Sequence, residues 1–257
     1  MVFSLLLIGE KKGIITYKIR IRTYEVKKRE EMLMGSRAIP VVEKELLRRV
    51  HGGVLLDLGF GRGDAMKRFM RYGGWSALGL DPSIERLKDA LSYGDVVRGS
   101  GEHLPFKDST FDVVLSINVL HHILNPLKVL GEINRVLKKA GYLLLVESTE
   151  DNPFLKIARL LIPSYEGDPV LSRFKERELR SSIMKYFQIC CKSSDEFLWF
   201  IVAELLKRLR ISNFPGVRMV RRFIKFLDAS KYTKKYHAHH FYLAEKRSIL
   251  LRGECLT

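Results

Sequence analysis

One stretch limits what this chain can be: Val54-Leu55-Leu56-Asp57-Leu58-Gly59-Phe60-Gly61-Arg62-Gly63-Asp64. An apolar run of strand length ends on alternating glycines, and Ala65-Met66-Lys67-Arg68-Phe69-Met70 then begins a helical pattern. A strand that turns on glycine into a helix forms a cradle for a nucleotide-like ligand. Glycine permits the tight turn and a close approach to the backbone, and the first free N–H groups of the helix point at the ligand.

The flanking sequence repeats the same unit. A helix is expected from Ser36, with Ile39, Val42, Leu46, Leu47 and Val50 on one face and a stop at Gly52-Gly53. After a helix over 64–72 come a second buried strand, 76–81, ending in Asp81, and a helix begun by Pro82. Strands are expected at 95–99, 111–117 and 142–147. A helix over 125–139 separates the last two, with Leu127, Leu130, Ile133, Val136 and Leu137 inward. Strands alternating with helices at this spacing imply a parallel, doubly wound α/β sheet. A linker at 149–169 precedes a helix over 170–186, a strand at 187–192 and two aromatic, basic helices between Asp195 and Asp228. A closing strand falls within 236–246, and 2–8 with 14–21 reads as an N-terminal hairpin.

At 257 residues the chain suits one domain, with a core at 36–192 and 236–247, an appendage at 1–31 and an inserted helical segment at 195–235. The 45 Lys and Arg against 29 Asp and Glu give a formal charge of +16, which favours an anionic partner or a basic solvated surface. Cys190, Cys191 and Cys255 have no metal-ligand spacing and cannot form a disulfide framework, which points to a reducing interior. The apolar opening lacks the basic start and cleavage site of a signal peptide, and no run approaches the roughly 18 apolar residues of a membrane span. A cytoplasmic location follows as an expectation. Gln188 is the only glutamine, which hints at a thermophilic source.

The motif narrows the ligand. Asp64 stands where a dinucleotide fingerprint carries its third glycine, and a carboxylate beside a pyrophosphate is repelled. No Lys-Ser or Lys-Thr follows the glycines, which excludes a P-loop. A ligand with a cationic sulfur tolerates Asp64 better, and Asp81 is placed to accept from two vicinal ribose hydroxyls.

The segments 54–64, Leu78-Gly79-Leu80-Asp81-Pro82-Ser83, Gly101-Glu102-His103-Leu104-Pro105-Phe106, 111–123 and 131–147 resemble, in order and spacing, the motifs of class I S-adenosylmethionine-dependent methyltransferases. The nearest flavour is the type 11 branch that contains quinone-biosynthesis enzymes. The resemblance is close over 36–148 and implies a Rossmann-like, doubly wound seven-stranded sheet, mostly parallel, with an antiparallel closing strand and inserted basic helices. It implies S-adenosyl-L-methionine as cofactor. Gly59, Gly61 and Gly63 would line its methionine half, with Asp57 toward the ammonium group. Asp81 would hold the ribose, Ser100 and Gly101 would meet the adenine, and Ser116 would contact the cofactor. Ser100 departs from the Asp or Asn usual there, and Arg62 from a small residue.

The cofactor supplies the electrophile of such a reaction, so the protein chiefly aligns the acceptor. A general base is needed only for a protonated acceptor, and His122 and His121, just beyond the strand at 111–117, are the candidates, followed by Asn118 as an orienting group. A packing or capping role is the competing reading for each. His103 reads as structural, His237, His239 and His240 lack a fourth metal partner in sequence, and Cys190 and Cys191 read as buried thiols.

Ser116-Ile117-Asn118-Val119 has neither the Asp/Asn-Pro-Pro-aromatic motif of exocyclic-amine methylation nor the cysteine of pyrimidine-carbon methylation, which ranks nucleic acid below a small acceptor despite the charge. Val217, Val220, Phe223, Ile224 and Leu227 share one helix face opposite Arg218, Arg221, Arg222 and Lys225. That pattern fits a lid over the substrate, peripheral contact with an anionic membrane at the inner face, or RNA contact. The favoured acceptor is a small hydrophobic, quinone- or lipid-like molecule. RNA or ribonucleoprotein methylation and cofactor binding without catalysis are the alternatives.

Overall fold

The computed structural model describes residues 5–11, 14–19, 38–61, 63–83, 94–152, 174–195, 202, 206, 216–228, 236–237 and 239–247. Seven strands form one sheet: β3 (Gly53–Leu58), β4 (Trp75–Asp81), β5 (Asp95–Arg98), β6 (Phe111–Ile117), β7 (Leu137–Ser148), β8 (Phe187–Asp195) and β9 (His239–Lys246). Their spatial order is β5-β4-β3-β6-β7-β9-β8, and β9 alone runs antiparallel to its neighbours. The expected doubly wound sheet with an antiparallel closing strand is therefore present. β1 (Leu5–Lys11) and β2 (Ile14–Ile19) pair antiparallel as a separate hairpin, with β2 beside β5.

Each face of the sheet is covered by helices whose apolar spacing matches the turn of the helix. On one face α1 (Ala38–Arg49) buries Val42 and Leu46 with Leu144, Val146, Phe241 and Leu243, and Phe69 of α2 (Asp64–Arg71) joins the same cluster. On the other, α3 (Pro126–Val136) brings Val129, Leu130, Ile133 and Val136, and α4 (Glu176–Met184) brings Leu179 and Ile183, onto Leu143, Leu145, Tyr242 and Ala244. α1 and α2 are joined by an ion pair, Arg68 Nε to Glu43 Oε1 at 2.8 Å, with both side chains largely buried.

Several boundaries differ from the sequence reading. The helix expected to 139 ends at Val136: Leu137 pairs with Phe111 and Tyr142 with Val113, so residues 138–141 bulge out of the ladder. Ala140, in that bulge, has φ 56°. At the other end Asn125 caps α3, its side chain accepting the Lys128 N–H at 3.2 Å, and Pro126 follows. Leu127 is only partly buried, and Val129 takes the inward place instead. α4 is shorter than expected and β8 longer. The helix after Pro82, residues 153–169 of the linker and Cys255 lie outside the described residues, as does the first basic helix apart from positions 202 and 206.

The second basic helix is α5 (Val217–Asp228). Among its described side chains only Ile224 is fully buried, while Val220 and Phe223, which share the apolar face read from the sequence, are exposed together with Met219 and Phe226. The apolar arc that the periodicity shows is thus only partly covered.

Candidate functional site

Strand order reverses at β3, which has β4 on one side and β6 on the other. In open α/β sheets a crevice opens at such a point beyond the carboxyl ends of the strands. The predicted residues converge there. Leu58 lies in register with Leu80 and with Ser116, which sets Gly59 between the ends of β4 and β6.

Gly59 has φ +66°, and a Cβ there would stand 2.6 Å from Val119 Cγ2. Both its conformation and its room therefore demand glycine. Gly61, at φ +55°, differs: among the described residues a Cβ would meet only the Gly59 carbonyl, at 4.0 Å, so none of them crowds its backbone. Gly63 opens α2 without a side-chain cap.

Asp57 is buried behind this corner. Its Oδ2 has no hydrogen-bond partner among the described residues, while the Met66 N–H serves the carboxylate. Burial pushes the Asp57 carboxyl up to about 7, the charges of Asp81 and Asp64 adding to the effect and Arg68 opposing it. A cation delivered to this carboxylate would reverse that shift. Asp81, fully buried at the end of β4, accepts the Ser83 N–H at 2.9 Å and the Gly61 N–H at 3.4 Å. The second contact is long enough to be weak. One acid thus ties the glycine corner to the neighbouring strand.

The β5–β6 loop closes one side. Ser100 is exposed and its Oγ accepts the Glu102 N–H at 3.2 Å, so the hydroxyl braces its own turn. Gly101 is buried, and a Cβ on it would touch Ile123, Leu58 and Val129.

Beyond β6, Ser116 is buried with an unpartnered Oγ among the described residues, and Asn118 takes φ +54° with an unpartnered Oδ1. The next turn hangs on one carboxylate. Glu147, fully buried at the end of β7, accepts the Val119 N–H at 2.7 Å and the Leu120 N–H at 2.6 Å through Oε1, and its Oε2 lies 2.7 Å from His121 Nδ1. His121 is therefore buried and held. His122 is exposed, its ring centroid 4.0 Å from that of His121.

Residues 56–145 match the family described as methyltransferase domain. An uncharacterized protein of Methanocaldococcus jannaschii is 38% identical over 192 residues, which span 74% of this chain and 80% of that protein. The chain belongs to the class I S-adenosylmethionine-dependent methyltransferases.

Similar, too, are a phthiotriol/phenolphthiotriol dimycocerosates methyltransferase of Mycobacterium ulcerans, 34% identical over 51% of this chain and 45% of its own, and a tRNA (carboxymethyluridine(34)-5-O)-methyltransferase of Schizosaccharomyces pombe, 35% identical over 40% and 45%. Two other Methanocaldococcus jannaschii proteins are matched over only 32% and 50% of their lengths. The crystal structure of an S-adenosylmethionine-dependent methyltransferase from Thermotoga maritima superposes with a TM-score of 0.57 at 18% identity, covering 82% of this chain and 90% of that one, and so shares the fold.

The cofactor of this methyltransferase is S-adenosylmethionine, and the corner suits it. A buried carboxylate with one oxygen unpartnered among the described residues suits a cationic ligand, and the backbone at Gly61 leaves room. Arg62 lies outside the described residues.

Sequence reasoning missed the residues that hold the site. Glu147 is one; an acid ending the otherwise apolar run 142–146, as Asp81 ends its own, was the available signal. Arg135 is another. It donates to the carbonyls of Leu104 and Phe106 and pairs with Asp108 and Glu132, and Glu132 in turn accepts the Leu104 N–H, so α3 fastens the loop after β5.

His103 does sit in that loop, 2.6 Å from Lys128 Nζ. His237 bonds Ser194 Oγ at 2.9 Å. His240, directly across from Glu147 in the β7–β9 ladder, is buried with neither ring nitrogen partnered among the described residues, and burial pulls it down to about 4. Cys190 and Cys191 prove only partly buried on the edge strand β8, although desolvation still raises both thiols.

Proposed function

We propose that this chain transfers a methyl group from S-adenosylmethionine to a small, hydrophobic, quinone- or lipid-like acceptor. The observation that carries the reading is the contiguity of the glycine corner with the histidine turn, since Gly59 abuts Val119 two residues before His121. Cofactor and acceptor can then meet across one strand end.

Bound in the corner, the cofactor supplies an electrophilic methyl group. The chain's own part is placement. Asp57 would meet the ammonium group, Asp81 the ribose, Gly101 and the Ser100 turn the adenine, and Ser116 the floor of the crevice. Glu147 fixes the turn, His121 acts as a positioning residue, and exposed His122 is the group able to take a proton from the acceptor, worth about 10²–10⁴-fold where one must be removed. Asn118 would orient the acceptor.

The lipid methyltransferase among the relatives supports a hydrophobic acceptor, as do the large exposed apolar side chains of α5. The tRNA methyltransferase relative and the charge of +16 support RNA as the second reading. A cell extract incubated with isotopically labelled methyl donor and screened by mass spectrometry tests both. Label in a lipid-soluble small molecule upholds the proposal, label in RNA replaces it, and cofactor binding without any labelled product leaves a non-catalytic binder. Asp81→Ala should weaken cofactor binding by about 1–3 kcal/mol, read by titration calorimetry without an acceptor.

A further inference from the structure

α5 is amphipathic in an unusual way. Ile224 is buried, with Val217 and Leu227 half-buried beside it. Around the helix from that line, Phe223, Met219 and Phe226 occupy one outward arc, at 62%, 73% and 74% exposure. Arg221, Arg218 and Arg222, all exposed, occupy the other, and the two arcs meet at the outermost line, where Arg222 adjoins Phe226 and Met219. Three large apolar side chains clustered in water mark an interaction surface.

The geometry points to a docking surface for an anionic lipid bilayer, with α5 lying flat in the headgroup layer. Phe223, Met219 and Phe226 reach the acyl boundary, while Arg218 and Arg222 hold their guanidinium groups among lipid phosphates. The helix spans about 18 Å, enough for one such contact. The charge complementarity extends to the whole chain, since +16 draws it to a negative surface before any side chain inserts. RNA would match the arginines and could stack a base on either phenylalanine, but it would offer no hydrocarbon phase to Met219 and the rest of the apolar arc. A second copy docked about a twofold axis would bring Arg218 and Arg222 against their own counterparts. A bilayer satisfies both arcs. This surface is independent of the acceptor's identity.

The test is flotation of the full chain with vesicles of phosphatidylcholine alone and of phosphatidylcholine containing phosphatidylserine. Binding to the anionic vesicles only, weakened at high salt, is expected. Phe226→Ser and Phe223→Ser should each lower partitioning about tenfold, and Arg222→Gln about fivefold. A Met219→Ser, Phe223→Ser, Phe226→Ser variant should lose flotation while keeping the wild-type melting temperature and cofactor affinity. Absence of flotation by the wild-type chain overturns the proposal. So does flotation that the triple variant retains, which would reduce the effect to bulk charge. A dimer in sedimentation that the triple variant disperses, or RNA binding that it abolishes, would assign the surface to those partners instead.

Discussion

Asp57 carries the sharpest chemical consequence at the scale of single residues. Its carboxyl is raised to about 7 by burial, whereas a bound ammonium favours the ionised form. With the ammonium placed on Asp57 as proposed, binding should release a proton below pH 7, and cofactor affinity should rise as pH climbs through 7 and level off above it. Calorimetry in two buffers of different ionisation heat reads that proton, and Asp57→Asn should abolish the dependence. Without ligand the sign for stability is opposite. The folded chain holds this proton more tightly than the unfolded one, so the contribution of Asp57 to stability falls between about pH 4 and pH 7. His240 gives a second expectation. Both ring nitrogens are buried without partners among the described residues, so His240→Leu should raise the melting temperature, by the equivalent of about 1–3 kcal/mol. Asp57 and Asp81 were legible in the sequence because one lies in the apolar run just before the glycines and the other closes the next apolar run. Glu147 was not, since its three donors lie 26 to 28 residues away and depend on the register of β6 against β7.

At the scale of elements, what periodicity shows is the shape of an apolar surface, not what it touches. Leu137 continues the spacing of α3, so the helix reads three residues too long; pairing with Phe111 is what draws it into β7. The same limit explains α5, whose apolar arc is evident in sequence although only Ile224 of its described side chains is fully buried. Contacts between elements are equally invisible there, as Glu43 and Arg68 illustrate. Arg68→Met would leave Glu43 buried without its cation and should cost about 3–5 kcal/mol in urea denaturation. Adding Glu43→Leu should restore most of the loss, because burial already disfavours that carboxylate. A double variant no more stable than the single one would mean the pair matters for more than its charges.

Considered as a whole, the molecule sets its candidate site residues along one rim of the sheet, from Asp81 through Gly59 and Ser116 to Glu147, with helices covering both faces. The order of strands and helices was readable because each βα unit carries its own punctuation. The hairpin β1–β2 forms a separate sheet outside this plan. Removing residues 1–31 should therefore leave a chain that still folds and binds the cofactor, as circular dichroism and calorimetry can check. No helix among the described residues is long and apolar enough to cross a membrane. The approach of Gly59 to Val119 matters beyond its own neighbourhood. It is the seam between the first half of the protein, β3 to β5, and the second, β6 to β9. A chimera grafting another family member's second half onto this first half will close only if the graft presents an equally slim side chain there, so domain-swapping libraries should sort at that one position.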